Sequence, residues 1–205
     1  MTIPARLIPL LEQYDFAVER LITRIGGPLS DSGDGSPVAV PELTDAEYLW
    51  EPVAGCWSVR RRSDGPGERA VKLLGGGDWG RDASPTSPYP PPFTTLAWRL
   101  DHLIETLVIR ADYTSGTHAM TRPEYLASGS AREAIAALQT GAAAWRHSLV
   151  TADDVALDTI GYCDYHYGSD PEDRFLDVVW WMNQEVLHLG AEIAMLRDLY
   201  RDTPA

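Results

Sequence analysis

PEDRFLDVVWWMNQEVLHLGAEIAMLRDLYR, residues 171–201, is the longest uninterrupted helical pattern in the chain. Pro171 suits a first helical turn, and Glu172 and Asp173 favour the positive end of the helix dipole. Past that start, Gly190 alone breaks a run free of Gly and Pro. At about 100° per residue, Trp181, Glu185, His188, Glu192 and Leu196 fall in a stripe roughly 80° wide. Gln184 sits one turn before His188, and Val178, Val179, Leu187, Ile193 and Leu199 widen the same side into an apolar face. The spacing predicts a core-facing surface with Glu, His and Glu at its centre. Ionisable groups are rarely buried unless they are paired or hold a metal, so this stripe is the first candidate site. His188 taken alone reads more simply as a hydrogen-bonded core or groove histidine.

A second stretch repeats the oddity. TTLAWRLDHLIETLVIRADY, residues 94–113, opens on Thr94 or Thr95 as a cap and places Trp98, His102, Glu105 and Ile109 within about 60° of one another. Two more helices complete the set. Residues 3–25 carry Leu7, Leu10, Leu11, Tyr14, Val18, Leu21, Ile22 and Ile25 at helical spacing and stop at Gly26-Gly27-Pro28. SAREAIAALQTGAAAWRHSLV, residues 130–150, is capped by Ser130 with Glu133 three places on, and His147 lies off its core stripe as a solvated histidine.

The connections read as irregular. Residues 26–43 are rich in Gly, Ser, Asp and Pro, a short helix starts at Thr44, and Trp57 reads as a core plug from a loop or short strand. Residues 63–92 have too many Gly and Pro for a long regular element, although Trp79 and Tyr89 could dock on the body. Four amphipathic patterns without a strand ladder predict an all-α four-helix bundle. It is one domain over 1–205, with loop insertions at about 26–43 and 63–92 and room to depart from simple up-down order.

Whole-chain properties bound the function. A net charge of −13 and a pI near 4.7 argue against nucleic acid and anionic membrane surfaces as partners. No apolar run reaches bilayer length, and the first residues do not read as a signal peptide. Cys56 and Cys163 are far apart, which suits free thiols in a reducing cytoplasm. Cys163-x-x-His166 has ligand-like spacing but no second pair, and the Gly run at 75–77 lacks the strand and Lys-Ser/Thr of a phosphate loop. Trp57, Trp98, Trp145, Trp180 and Trp181 read as core residues.

Three segments carry a resemblance to a known family: LTDAEYLWEPVAGCWSVR at 43–60, PPPFTTLAWRLDHLIE at 90–105 and NQEVLHLGAEIAMLRDLY at 183–200. In this order they resemble the DinB-like (YfiT-like) family of metal-dependent proteins. The resemblance implies a four-helix bundle with an unusual connection after the first helix. It implies a divalent metal, zinc or nickel, held by one histidine on the second helix and two, one turn apart, on the fourth. It also implies low-molecular-weight-thiol transferases or isomerases among the relatives, and pairing into homodimers. Carried over by position, His102 and His188 match two of the histidines, and Gln184 stands at the third.

The third ligand is then Glu185, Glu192 or Gln184; Glu185-x-x-His188 has the spacing by which bundle helices aim two ligands inward. Glu105 and Glu192 are the candidate catalytic carboxylates, with Glu105 as orienting partner, ligand or general base. The same residues also make a metal-free polar network. The expected function is a metal-dependent thiol S-transferase or hydrolase acting on a small molecule. The alternative, motivated by Gln184, is a non-catalytic small-molecule-binding or interaction module with a degenerate metal site.

Overall fold

The computed structural model describes residues 2–26, 30, 31, 37, 38, 40–86, 88–163 and 172–203. Its body is four long helices, α1 (Ile8–Gly26), α3 (Leu96–Ser115), α4 (Ala131–Thr151) and α6 (Phe175–Asp202); α2 (Asp45–Tyr48) and α5 (Asp154–Asp158) are short. Side-chain oxygens start several of them. Thr95 Oγ1 accepts from the Trp98 amide at 3.2 Å, Ser130 Oγ from Glu133 at 3.3 Å, and Asp153 Oδ1 from Ala156 at 2.8 Å, each meeting a donor that helix geometry leaves open. The first and last helices start later than their patterns predict, at Ile8 and Phe175; Pro171 lies outside the described residues.

Contacts fix the topology. Arg24 pairs with Asp198, and Asn183 Nδ2 donates to the Leu10 carbonyl at 2.8 Å, so α1 and α6 run parallel. Ser115 and Ser148 hydroxyls meet at 2.7 Å, and Gly141 lies against Val108, so α3 and α4 also run parallel. A Cβ at Gly141 would fall 2.9 Å from Val108 Cγ2, so this glycine lets α4 approach α3 closely. Tyr14 Oη donates to the Ala142 carbonyl at 2.9 Å and Gly26 packs on Ile135, which sets α1 against α4 head to tail. The order is therefore up-down-down-up. The parallel α3/α4 pair needs a crossover, and residues 116–130 supply it.

The segment read as irregular at 63–92 holds part of a small antiparallel sheet. β1 (Ser30–Asp31) and β2 (Pro37–Val38) form a two-residue ladder, while β3 (Val59–Arg61), β4 (Lys72–Leu74) and β5 (Trp79–Ala83) form a sheet in the order β3-β5-β4. Its central strand, WGRDA, lacks apolar alternation because its buried Arg81 and Asp82 are held by charge partners. Asp82 accepts from the Ser58 amide at 2.9 Å, the Gly67 amide at 2.7 Å and Arg60 Nε at 2.7 Å, which ties the loop before β4 to the sheet.

The core stripe of α6 is Phe175, Val178, Val179, Met182, Val186, Leu189, Ile193 and Leu196. It lies about one residue, or 100°, around the helix from the Trp181–Glu185–His188–Glu192 stripe, which flanks the core instead of entering it. Both stripes hold apolar residues, so periodicity alone could not choose between them. Trp57 and Trp145 are buried as expected, Trp98 and Trp181 are half-buried, and Trp180 is exposed.

A buried charge closes the end of the bundle where α1 finishes. Arg197 is fully buried, its Nε 2.7 Å from Glu47 Oε1 on α2, and its other nitrogens donate to the Arg24 and Pro41 carbonyls. Glu47→Ala leaves that guanidinium buried without its carboxylate. The expected loss in urea denaturation is about 3–5 kcal/mol. A loss below about 1 kcal/mol, the value for a solvent-screened pair, would contradict it.

Candidate functional site

Two cross-helix contacts set the register of α3 against α6. Arg99 pairs with Glu192, and the Arg110 guanidinium lies 5.1 Å from the Trp181 ring centre. The helices are antiparallel, and both contacts place His102 level with position 189, within about one residue rise of His188. A seam follows, in which Arg99, His102 and Thr106 on α3 share their levels with Glu192, His188 and Glu185 on α6, all partly or fully open to solvent. Residues far apart in sequence thus share one height of the bundle.

His102 is the more enclosed histidine. Its ring stacks at 5.2 Å on Trp98, and its side chain keeps 30% of its surface exposed. Nδ1 is buried without a hydrogen bond, 4.0 Å from Glu105 Oε2, so the exposed part of the ring lies away from that atom. Burial, reinforced by the charges of Arg81 and Arg122, pushes its pKa down to about 3, so the imidazole is neutral at ordinary pH. A base that weak is poorly matched to proton abstraction near neutrality. A neutral ring still offers hydrogen bonding or a lone pair.

Behind His102 lies a buried ionic cluster that sequence reading missed. Glu105 pairs with Arg81 from β5, both side chains only 3% exposed, and its Oε1 stands 3.2 Å from Arg122 Nε on the crossover. Arg81 Nη1 is 3.6 Å from Asp101 Oδ2, and Tyr125 Oη donates to Asp101 Oδ1 at 2.9 Å. Burial raises Asp101 to about 6, against the opposing pull of Arg81 and of the Tyr125 hydrogen bond. The sequence did carry a signal: Asp101 and Glu105, one turn apart on a helix otherwise rich in Leu and Ile, demand cations from elsewhere. It could not name Arg81 and Arg122, which come from separate segments.

On α6 the carboxylate of Glu192 bridges His188 and Arg99. Its Oε1 is 3.2 Å from His188 Nε2, and its Oε2 pairs with Arg99. The His188 side chain is 62% exposed. Glu185 is half-buried and Gln184 exposed. Among the described residues no three His, Cys, Asp or Glu side chains stand together as a group able to hold a metal ion. The charges give the reason. The two candidate catalytic carboxylates, Glu105 and Glu192, are already engaged by arginines, and a divalent ion in the seam would face Arg81, Arg99 and Arg122. As the side chains stand, His102, His188 and Glu185 do not form such a group. Cys56 and Cys163 are separate buried thiols, and His166 lies outside the described residues. No helix among the described residues is long and apolar enough to cross a membrane.

A family model described as the DinB superfamily matches residues 35–193, well over half of the chain. Comparison with curated proteins and with solved structures gives no match.

The enclosure of His102 is open to direct measurement. In proton NMR its ring signals should hold their neutral positions between about pH 8 and pH 5, where an ordinary imidazole titrates. With the folded pKa below the unfolded one, the unfolded chain takes up this proton first. His102 therefore lowers stability as pH falls from about 6.5 towards 3, and His102→Gln should flatten that part of the curve. A midpoint near 6.5 would contradict the burial of Nδ1.

Proposed function

The chain belongs to the DinB superfamily, and we propose that it is a small-molecule-binding member whose α3/α6 seam works through arginine and imidazole hydrogen bonds, with the superfamily's metal centre degenerate. One observation carries this: the carboxylates nearest the two histidines are neutralised by guanidinium groups of the chain itself. Such a seam suits a polar ligand with oxygen acceptors. The open edge of His102 supplies one hydrogen bond, Arg99 and Arg122 supply charge at the rim, and the half-exposed Trp98 supplies a flat apolar surface. The buried Arg81–Glu105 pair holds the sheet and α3 in register beneath it.

A second reading keeps the superfamily's chemistry: a zinc- or nickel-dependent thiol S-transferase or hydrolase. It is favoured by the neutral His102 ring with Glu105 behind it and His188 at the same height. It needs a third donor, and Glu185 is the half-buried carboxylate on that flank of α6.

Metal analysis of protein prepared without an affinity tag separates the two. The binding reading expects less than about a tenth of an equivalent of bound metal and no rise in melting temperature with added zinc or nickel. Near-stoichiometric uptake that His102→Ala abolishes would overturn it in favour of the enzyme.

A further inference from the structure

Gly190 is the one glycine inside the long α6, and nothing in the packing requires it. Its backbone is ordinary helix, and a Cβ built there would meet nothing closer than Leu21 Cδ2 at 3.9 Å. Glycine is the poorest helix former after proline, so a free methyl's worth of space at this position calls for another cause.

That space is the floor of a groove between the parallel α1 and α6, on the other flank of α6 from the His188 seam. The groove has a volume of about 610 Å³, within the usual range for small-molecule sites. Leu21, Gly190, Ala191 and Ala194 are among the small and apolar residues that line it. Phe16 and Met195 stand along its rims, 61% and 62% exposed. Its ionisable lining is Arg20, Arg24 and Asp198, a net positive edge on a chain of charge −13. Arg24 is paired with Asp198, while Arg20 is exposed and makes no ion pair or hydrogen bond among the described residues. Half the groove comes from α1, which precedes the segment matched by the family model.

We propose that this groove binds a single-chain anionic amphiphile, its hydrocarbon tail over Gly190 and Ala194 and its acidic head at Arg20. An apolar trough explains the missing side chain at 190, and Arg20, without an ion pair among the described residues, gives its rim a positive charge to meet an acidic head. The site is independent of the His102 seam and of the function proposed for it.

Titration calorimetry with decanoate and with decanol, the same chain with and without the charge, tests the assignment. Saturable decanoate binding is expected, weakened roughly tenfold or more by Arg20→Glu, while decanol binding is unaffected by that change. Gly190→Leu should abolish binding of both without lowering the melting temperature, because the new side chain enters the groove and a better helix former replaces glycine. Gly190→Ala, a smaller intrusion, should weaken both. His102→Gln should change neither. Absence of saturable binding, or binding indifferent to both Gly190 variants, would overturn the proposal. So would a dimer in sedimentation that Gly190→Leu dissociates, since the groove would then belong to a second copy of the chain.

Discussion

The buried pair of Arg81 and Glu105 is the interaction on which the architecture turns. A charged side chain removed from water costs several kcal/mol unless a partner of opposite sign is in place. Arg81 arrives on the central strand of a small sheet, and Glu105 arrives on a helix of the bundle. Each is the other's nearest opposite charge, with Asp101 and Arg122 completing the cluster, so the pair holds the sheet against α3. The crossover adds Arg122 to Glu105 and Tyr125 to Asp101, which pins its path between two parallel helices to the same cluster. The neutral state of His102 follows from its burial in this arrangement, reinforced by the nearby guanidinium charges of Arg81 and Arg122.

α6 shows how one helix can serve three surfaces. Its Val/Met/Leu/Ile stripe fills the bundle core, its Glu/His stripe borders α3, and its small residues open a groove against α1. Arg197 at its far end anchors it through Glu47 and two carbonyls. The polar stripe is therefore positioned by the core stripe beside it and by its contact with α3. The height shared by His102 and His188 is a consequence of the antiparallel register and needs no ligand to hold it.

Much of this was legible in the residues. The four helical patterns, the cap at Ser130 and a cap at Thr94 or Thr95 followed from spacing and chemistry, and the structure chooses Thr95. The small sheet did not, because strands of three to five residues with buried charges leave no alternation to detect. The facing of α6 was misjudged by one residue, since a helix with apolar residues on more than half its circumference does not declare its core side. The partners of Glu105 were invisible for a different reason. Ion pairs between segments 17 to 24 residues apart are set by tertiary packing, and no local rule encodes them.

A double-mutant cycle on Arg81 and Glu105, read by urea denaturation, addresses the central interaction most directly. Arg81→Met and Glu105→Leu should each cost about 3–5 kcal/mol, since each strands a buried charge. The double variant should lose less than their sum by at least about 1.5 kcal/mol, because it removes both members of the pair and leaves neither facing an empty place. Additivity within about 0.5 kcal/mol would mean that the two charges do not depend on one another, and the ionic foundation of the seam would have to be abandoned.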